Sequence, residues 1–183
     1  TGSISAPAEA WVDKQGRVRR LSVTMTMGAV LGTPMTMSIT EDLYDKVMGV
    51  NLKGPFRLSA IVGTRMAAGD GGSIIFVSSI ASQRTSPSEL VYGAAKAGVN
   101  ALTYGLARTL GPKVRVNCIA PGPFLTDIST AWDLDAFAKS AKAAFALGRG
   151  GEPHEIVGTA LYLASNASSY TTGAVIDVDG GPR

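Results

Sequence analysis

Cysteine and histidine are nearly absent from this chain, with one of each, Cys118 and His154, in 183 residues. A single cysteine cannot close an internal disulfide, and one Cys with one His far apart in sequence offers no metal-type cluster. That usage favours a reducing, cytoplasmic setting. No apolar run reaches the roughly 18 residues needed to span a bilayer, and residues 1–5 have neither the charged nor the apolar part of an export signal. The chain therefore reads as neither exported nor membrane-spanning. Charged residues amount to 17% and the net charge is only +3. The local basic cluster of Lys14, Arg17, Arg19 and Arg20 has no aromatic residue interleaved, so it reads as a solvated turn and not as a nucleic-acid surface. Low-complexity tracts and internal repeats are missing as well.

What remains, with 45% hydrophobic residues, is the composition of an ordinary globular protein, and residues 1–183 read as one domain. Strand-like and helical segments alternate, the signature of βαβ units and a parallel sheet. Residues 8–15 read as the end of a helix stopped by Gly16, and residues 18–25 as a strand. Thr40 is placed to cap a helix running to about Met66, with Glu41 and Asp42 in its first turn and Leu43, Val47, Val50, Leu58, Ile61 and Val62 as apolar positions. Residues 73–77 form a continuous apolar run, expected for a strand buried on both faces. A helix over 92–110 carries the core stripe Ala95, Val99, Leu102, Leu106 and Leu110 and is stopped by Gly111 and Pro112. A strand over 114–120, a helix over 156–164 and a last strand over 174–178 complete the pattern.

In open parallel sheets functional groups collect beyond the carboxyl ends of the strands. Here Ser78 and Ser79 end one strand, Pro121 and Gly122 end the next, and Tyr92 opens the helix between them. Tyr92 and Lys96 stand four apart and so share a helix face. A phenol is a poor base at neutral pH, but an ammonium about 4 Å away contributes about 4 kcal/mol at an effective dielectric of 20. Such a pair can exchange a proton with an alcohol or a carbonyl oxygen. Cys118, inside a strand, reads as a small core residue, and His154 as part of a helical first turn.

Tyr92-Gly-Ala-Ala-Lys96 is accompanied by Gly16-Arg17-Val18, Val50-Asn51-Leu52, Ile75-Phe-Val-Ser-Ser79, Asn117-Cys-Ile-Ala-Pro-Gly122 and Val178-Asp-Gly-Gly181. Together they make the chain resemble the short-chain dehydrogenase/reductases. The resemblance implies an α/β, Rossmann-like, doubly wound parallel sheet. It implies Tyr92 as general acid/base, Ser79 as the hydrogen-bond partner of the substrate oxygen, and Lys96 as the holder of the nicotinamide ribose. Asn51 is implied as the fourth member through its main-chain carbonyl. Pro55, four residues on, has no N–H to give that carbonyl and is expected to kink the helix; a plain packing role for Asn51 stays open beside this. Pro121, Gly122 and Thr126 match the segment around the nicotinamide carboxamide, with Gly122 allowing close backbone approach. The cofactor is NAD or NADP, the choice between them being unreadable. The substrate is a small alcohol or ketone, and residues 126–150, with Trp132, Leu134, Phe137 and Phe145, resemble the substrate lid.

The family's glycine-rich loop and its first strands have no counterpart in this sequence, so the sheet reads as N-terminally truncated. Its Asn-Asn-Ala-Gly turn would fall near Thr26-Met27-Gly28-Ala29, where both asparagines are missing. On that reading residues 18–25 form an exposed sheet edge, which either pairs with another chain or lies within a disordered first 25 residues or so. The stripe Ala94, Gly98, Ala101 and Gly105, together with the family's habit of pairing helices across a two-fold axis, points to a homodimer or homotetramer. Two classes of function follow: an NAD(P)-dependent oxidoreductase, or a non-catalytic remnant that acts only by association.

Overall fold

The computed structural model describes residues 8–26 and 34–182, and divides into two compact units, residues 1–49 and 50–183, where composition suggested one domain. The first unit holds three strands, β1 (Ala8–Val12), β2 (Val18–Thr26) and β3 (Pro34–Thr40), followed by helix α1 (Glu41–Met48). All three strands are antiparallel, in the order β1-β2-β3.

Two sequence expectations are corrected here. Residues 8–15 are no helix end but a strand and the start of a hairpin turn. Asp13 Oδ1 accepts from the N–H groups of Gln15 and Arg17, and Gly16 closes the turn at φ 76, a left-handed conformation that glycine adopts without strain. The glycine that resembled a helix stop is therefore a turn residue. Residues 18–25 do form a strand, yet not an exposed edge: β2 is the middle strand, paired on both sides, which satisfies from within the groups expected to seek another chain. Residues 27–29 of the expected asparagine-containing turn lie outside the described residues. Thr40 caps α1 as anticipated, its Oγ1 accepting from Leu43 N at 3.1 Å.

After α1 the helical path widens into a π turn (Gly49–Lys53) and resumes as α2 (Gly54–Ala68), with Pro55 in its first turn. In the second unit β4 (Gly72–Val77), β5 (Val114–Pro121) and β6 (Val175–Val178) form a parallel sheet in that order. Helix α3 (Leu90–Leu110) joins β4 to β5, while α4 (Leu134–Ala144) and α5 (Val157–Ala164) lie between β5 and β6. This alternation is the Rossmann-like α/β arrangement.

The core is built where β5 alternates. Val114, Val116 and Cys118 join Phe76 of β4 and Val99, Ala107 and Leu110 of α3, with Leu102 and Leu106 packed against them. On the other face Arg115 donates to the carbonyl oxygens of Leu163 (3.1 Å) and Ser165 (3.2 Å) at the end of α5. Asn117 binds the loop before β6 through Thr171 O (2.8 Å) and Ala174 N (3.0 Å). Both polar side chains are thus satisfied, as burial in a central strand requires. Against expectation β4 is not buried on both faces: Phe76 is its one buried residue, because the strand pairs only with β5 among the described residues. Several apolar positions of the 40–66 helical stretch are likewise exposed, Leu58 at 65% and Ile61 at 56%.

Candidate active site

The carboxyl ends of β4 and β5 open into a cleft of about 850 Å³. Ser79, Tyr92, Pro121, Gly122 and Thr126, five of the residues singled out by sequence, line it together. Its walls are largely apolar, from Ile80, Phe124, Trp132 and Ile156, with Arg84, Ser88 and Glu89 as further polar groups. The Trp132 and Phe137 rings of the 126–150 segment pack in a tilted pair, 5.3 Å between centroids and 46° between planes.

Each side chain is positioned by a local feature. Ser79 caps a short 3₁₀ turn (Ile80–Ser82), its Oγ accepting from Ala81 N at 3.1 Å. Accepting through its lone pair leaves the hydroxyl proton of Ser79 for a further partner. Neither the Ser79 nor the Tyr92 hydroxyl proton is committed to another group among the described residues. Tyr92 sits in the first turn of α3, which approaches the Ser79 loop closely because its next residue is Gly93. A Cβ there would meet the Thr85 side chain and come within 2.8 Å of Ala81 O.

Lys96 lies one turn deeper. Its ammonium donates to Val77 O at 2.9 Å and stands 5.5 Å from the centre of the Tyr92 ring. Burial pulls the Lys96 pKa down, while the neighbouring Cys118 works in the opposite direction. The carbonyl and the aromatic face both favour the charged ammonium. Cys118 is fully buried under this group, and burial raises its thiol pKa, in keeping with a core residue.

Asn51 is not among the residues lining the cleft. It lies in the π turn, which takes the place of the simple kink expected before Pro55. Gly122 does permit a close approach, but of the chain itself: a Cβ there would be 2.7 Å from Asp179 Cα. His154 lies in a 3₁₀ turn (Pro153–Ile156) leading into α5. The cleft residues that sequence reasoning missed, Arg84, Ser88, Glu89 and Pro153, sit in a loop and in short 3₁₀ turns without periodicity, and only the fold brings them together.

The residues fit one end of a dinucleotide. The cleft beside Tyr92 and Lys96 is lined by Pro121, Gly122 and Thr126, suited to a nicotinamide and its ribose. A glycine-rich loop between strand and helix, which would hold a pyrophosphate, is not found among the described residues. The described helices include none long and apolar enough to cross a membrane.

The family model described as enoyl-(acyl carrier protein) reductase matches residues 3–182. The chain is 35% identical over 179 residues to a 3-oxoacyl-acyl-carrier-protein reductase of Chlamydia muridarum, covering 97% of this chain and 71% of that protein. It is 40% identical over 147 residues to dehydrogenase/reductase SDR family member 4 of Bos taurus, covering 79% and 53%. Among solved structures, 3-oxoacyl-acyl-carrier-protein reductase of Brucella melitensis superposes with a TM-score of 0.73 at 32% identity over 78% of this chain and 54% of that one. A 4-hydroxyisoleucine dehydrogenase solved with NADH gives 0.72 at 31% identity over 78% and 60%. The chain spans less than two thirds of the length of these solved relatives.

Proposed function

We propose, from the premise that this chain belongs to the short-chain dehydrogenase/reductase family, that it carries the proton-transfer half of an NAD(P)-dependent oxidoreductase interconverting an alcohol and a carbonyl. The observation that carries this reading is the meeting of Ser79 and Tyr92 in one cleft with Lys96 held behind the tyrosine ring.

In carbonyl reduction the Ser79 hydroxyl donates a hydrogen bond to the substrate oxygen and orients it. Tyr92 gives that oxygen its proton as negative charge develops there, and takes it back in alcohol oxidation. Lys96, held by Val77 O, presents a positive charge that stabilises the tyrosinate left behind. Tyr92, Lys96, Pro121, Gly122 and Thr126 would hold a nicotinamide coenzyme, whose chemistry would be the supply or acceptance of a hydride. The apolar walls from Phe124, Trp132 and Ile156 exclude water and suit a substrate with a hydrocarbon body. The 126–150 segment acts as the lid over it. Asn51, in its π turn, is the fourth member, its main-chain carbonyl holding a water that links Lys96 to solvent; π turns recur at functional sites. Self-association into a homodimer or homotetramer through the long helices, and a cytoplasmic setting, complete the reading.

Titration calorimetry with NADH and with NADPH tests it. Saturable heat with either coenzyme, reduced by Lys96→Met, is the expected result. Absence of heat at millimolar coenzyme would favour a remnant that acts by association alone.

A further inference from the structure

The strand end that carries Ser79 is tied to α3 at two points spaced one helical turn apart. Ser78, only 3% exposed, donates its hydroxyl to the carbonyl oxygen of Lys96 at 3.0 Å. Asn100 donates its side-chain amide to the hydroxyl of Ser82 at 2.9 Å. Both links bridge the same separation of 18 residues, so 78 and 82 on one side meet 96 and 100 on the other. Residues 96 and 100 lie on one face of the helix, about 6 Å apart along its axis. One tie would leave a helix free to roll about the point of attachment. Two ties along its axis suppress both sliding and rolling. Ser79 lies between Ser78 and Ser82, and Tyr92 one turn before Lys96, so the pair of bonds determines how the phenol faces the serine. Val77, the last residue of β4, takes the Lys96 ammonium as well, so both ends of that lysine are held by the consecutive residues Val77 and Ser78. The thiol of Cys118 lies 3.9 Å from the Asn100 amide oxygen, supporting this rung from β5.

We infer that Ser78 and Asn100 are positioning residues, a two-rung clamp that sets the register of Tyr92 and Lys96 against Ser79. The inference rests on the acid/base reading above and adds to it two residues that do not line the cleft. The ties are inexpensive for folding. The Lys96 carbonyl lies inside the helical ladder of α3 and keeps that partner when the Ser78 hydroxyl is removed. For catalysis they matter more, since a misplacement of about 1 Å can cost about 10²-fold in rate.

The test is a set of variants assayed with NADPH or NADH and ethyl 3-oxobutanoate: Ser78→Ala, Ser78→Thr, Asn100→Leu, Ser78→Ala with Asn100→Leu, and Tyr92→Phe alone and combined with Ser78→Ala. The clamp predicts that kcat falls about 10-fold in each single alanine or leucine variant and about 100-fold in the double one, with KM within about threefold and Ser78→Thr restoring the rate. Ser78→Ala should have no further effect once Tyr92 is phenylalanine, because its action passes through that hydroxyl. A readout independent of turnover is the ¹⁵N signal of the Lys96 ammonium, assigned with Lys96→Met, which should be protected in the wild type and exchange-broadened in the double variant. Wild-type kcat in Ser78→Ala and Asn100→Leu with the ammonium signal retained would overturn the clamp. Undiminished activity of Tyr92→Phe would overturn the acid/base reading on which the clamp depends.

Discussion

Two glycines of α3, Gly93 and Gly105, offer a matched pair for testing the contact on which the site geometry depends. Both occupy the interior of one helix, so replacing either by alanine removes backbone freedom from the unfolded chain and contributes about 0.5–1 kcal/mol to stability. Their surroundings differ. A Cβ at Gly105 meets nothing within 4 Å, whereas at Gly93 it meets the Thr85 side chain and sits 2.8 Å from the main-chain oxygen of Ala81. That oxygen already accepts from Thr85 Oγ1 at 2.6 Å, so neither neighbour moves without breaking a bond. Overpacking of this kind costs about 1–3 kcal/mol, which exceeds the intrinsic gain. Gly93→Ala should therefore lower the free energy of unfolding by about 1–2 kcal/mol, and Gly105→Ala should raise it by about 0.5–1 kcal/mol. Urea unfolding followed by circular dichroism measures both, at a concentration where light scattering shows a single species. Equal stabilisation by the two substitutions would refute the close seating of α3 on the Ser79 loop.

Further predictions concern charge and core. Glu155 accepts two hydrogen bonds from the Arg149 guanidinium, at 2.6 and 2.7 Å, and one from Glu152 N. These bonds hold its carboxyl down to about 2, the arginine's being the largest cause. Because the folded value lies below the unfolded one, the stabilisation is present above about pH 4.3 and fades as the pH falls toward 2. The difference in urea midpoint between wild type and Glu155→Gln should shrink over that interval, and a difference independent of pH would contradict the pairing. Leu163 is completely buried; Leu163→Ala should cost about 2–5 kcal/mol in the same unfolding assay, and a loss below 1 kcal/mol would mean that α5 does not close the sheet.

The parallel half of the fold was legible because its signals are local and redundant. Residues 92–110 show a helical apolar stripe with Gly111 and Pro112 as a stop, and the runs at 73–77 and 114–120 contain little but apolar residues around a few satisfied polar ones. The amino-terminal unit was misread because one local signal has two outcomes. Asp13 followed by Gly16 ends a helix in one context and turns a hairpin in another, and only the pairing of β1 with β2 decides between them. Burial was also overestimated for β4, since an apolar run does not reveal whether a strand has neighbours on both sides. At the cleft, Ser79, Tyr92 and Gly122 were found from strand ends and helix starts. Arg84 and Glu89 carry no pattern of their own, and neither does the link from Asn100 to Ser82, which joins side chains 18 residues apart.

The account turns on Tyr92 as the group that moves the proton. Its most direct test is the rate of ketone reduction by Tyr92→Phe under saturating coenzyme, with circular dichroism confirming an unchanged fold. Removing one hydroxyl should lower kcat by about 10²- to 10⁴-fold, the contribution of a positioned general acid, while coenzyme affinity stays near that of the wild type. Retention of more than about a tenth of the activity, on the same principle, would show that the proton comes from elsewhere and that the Ser79, Tyr92 and Lys96 cluster is not the reaction centre.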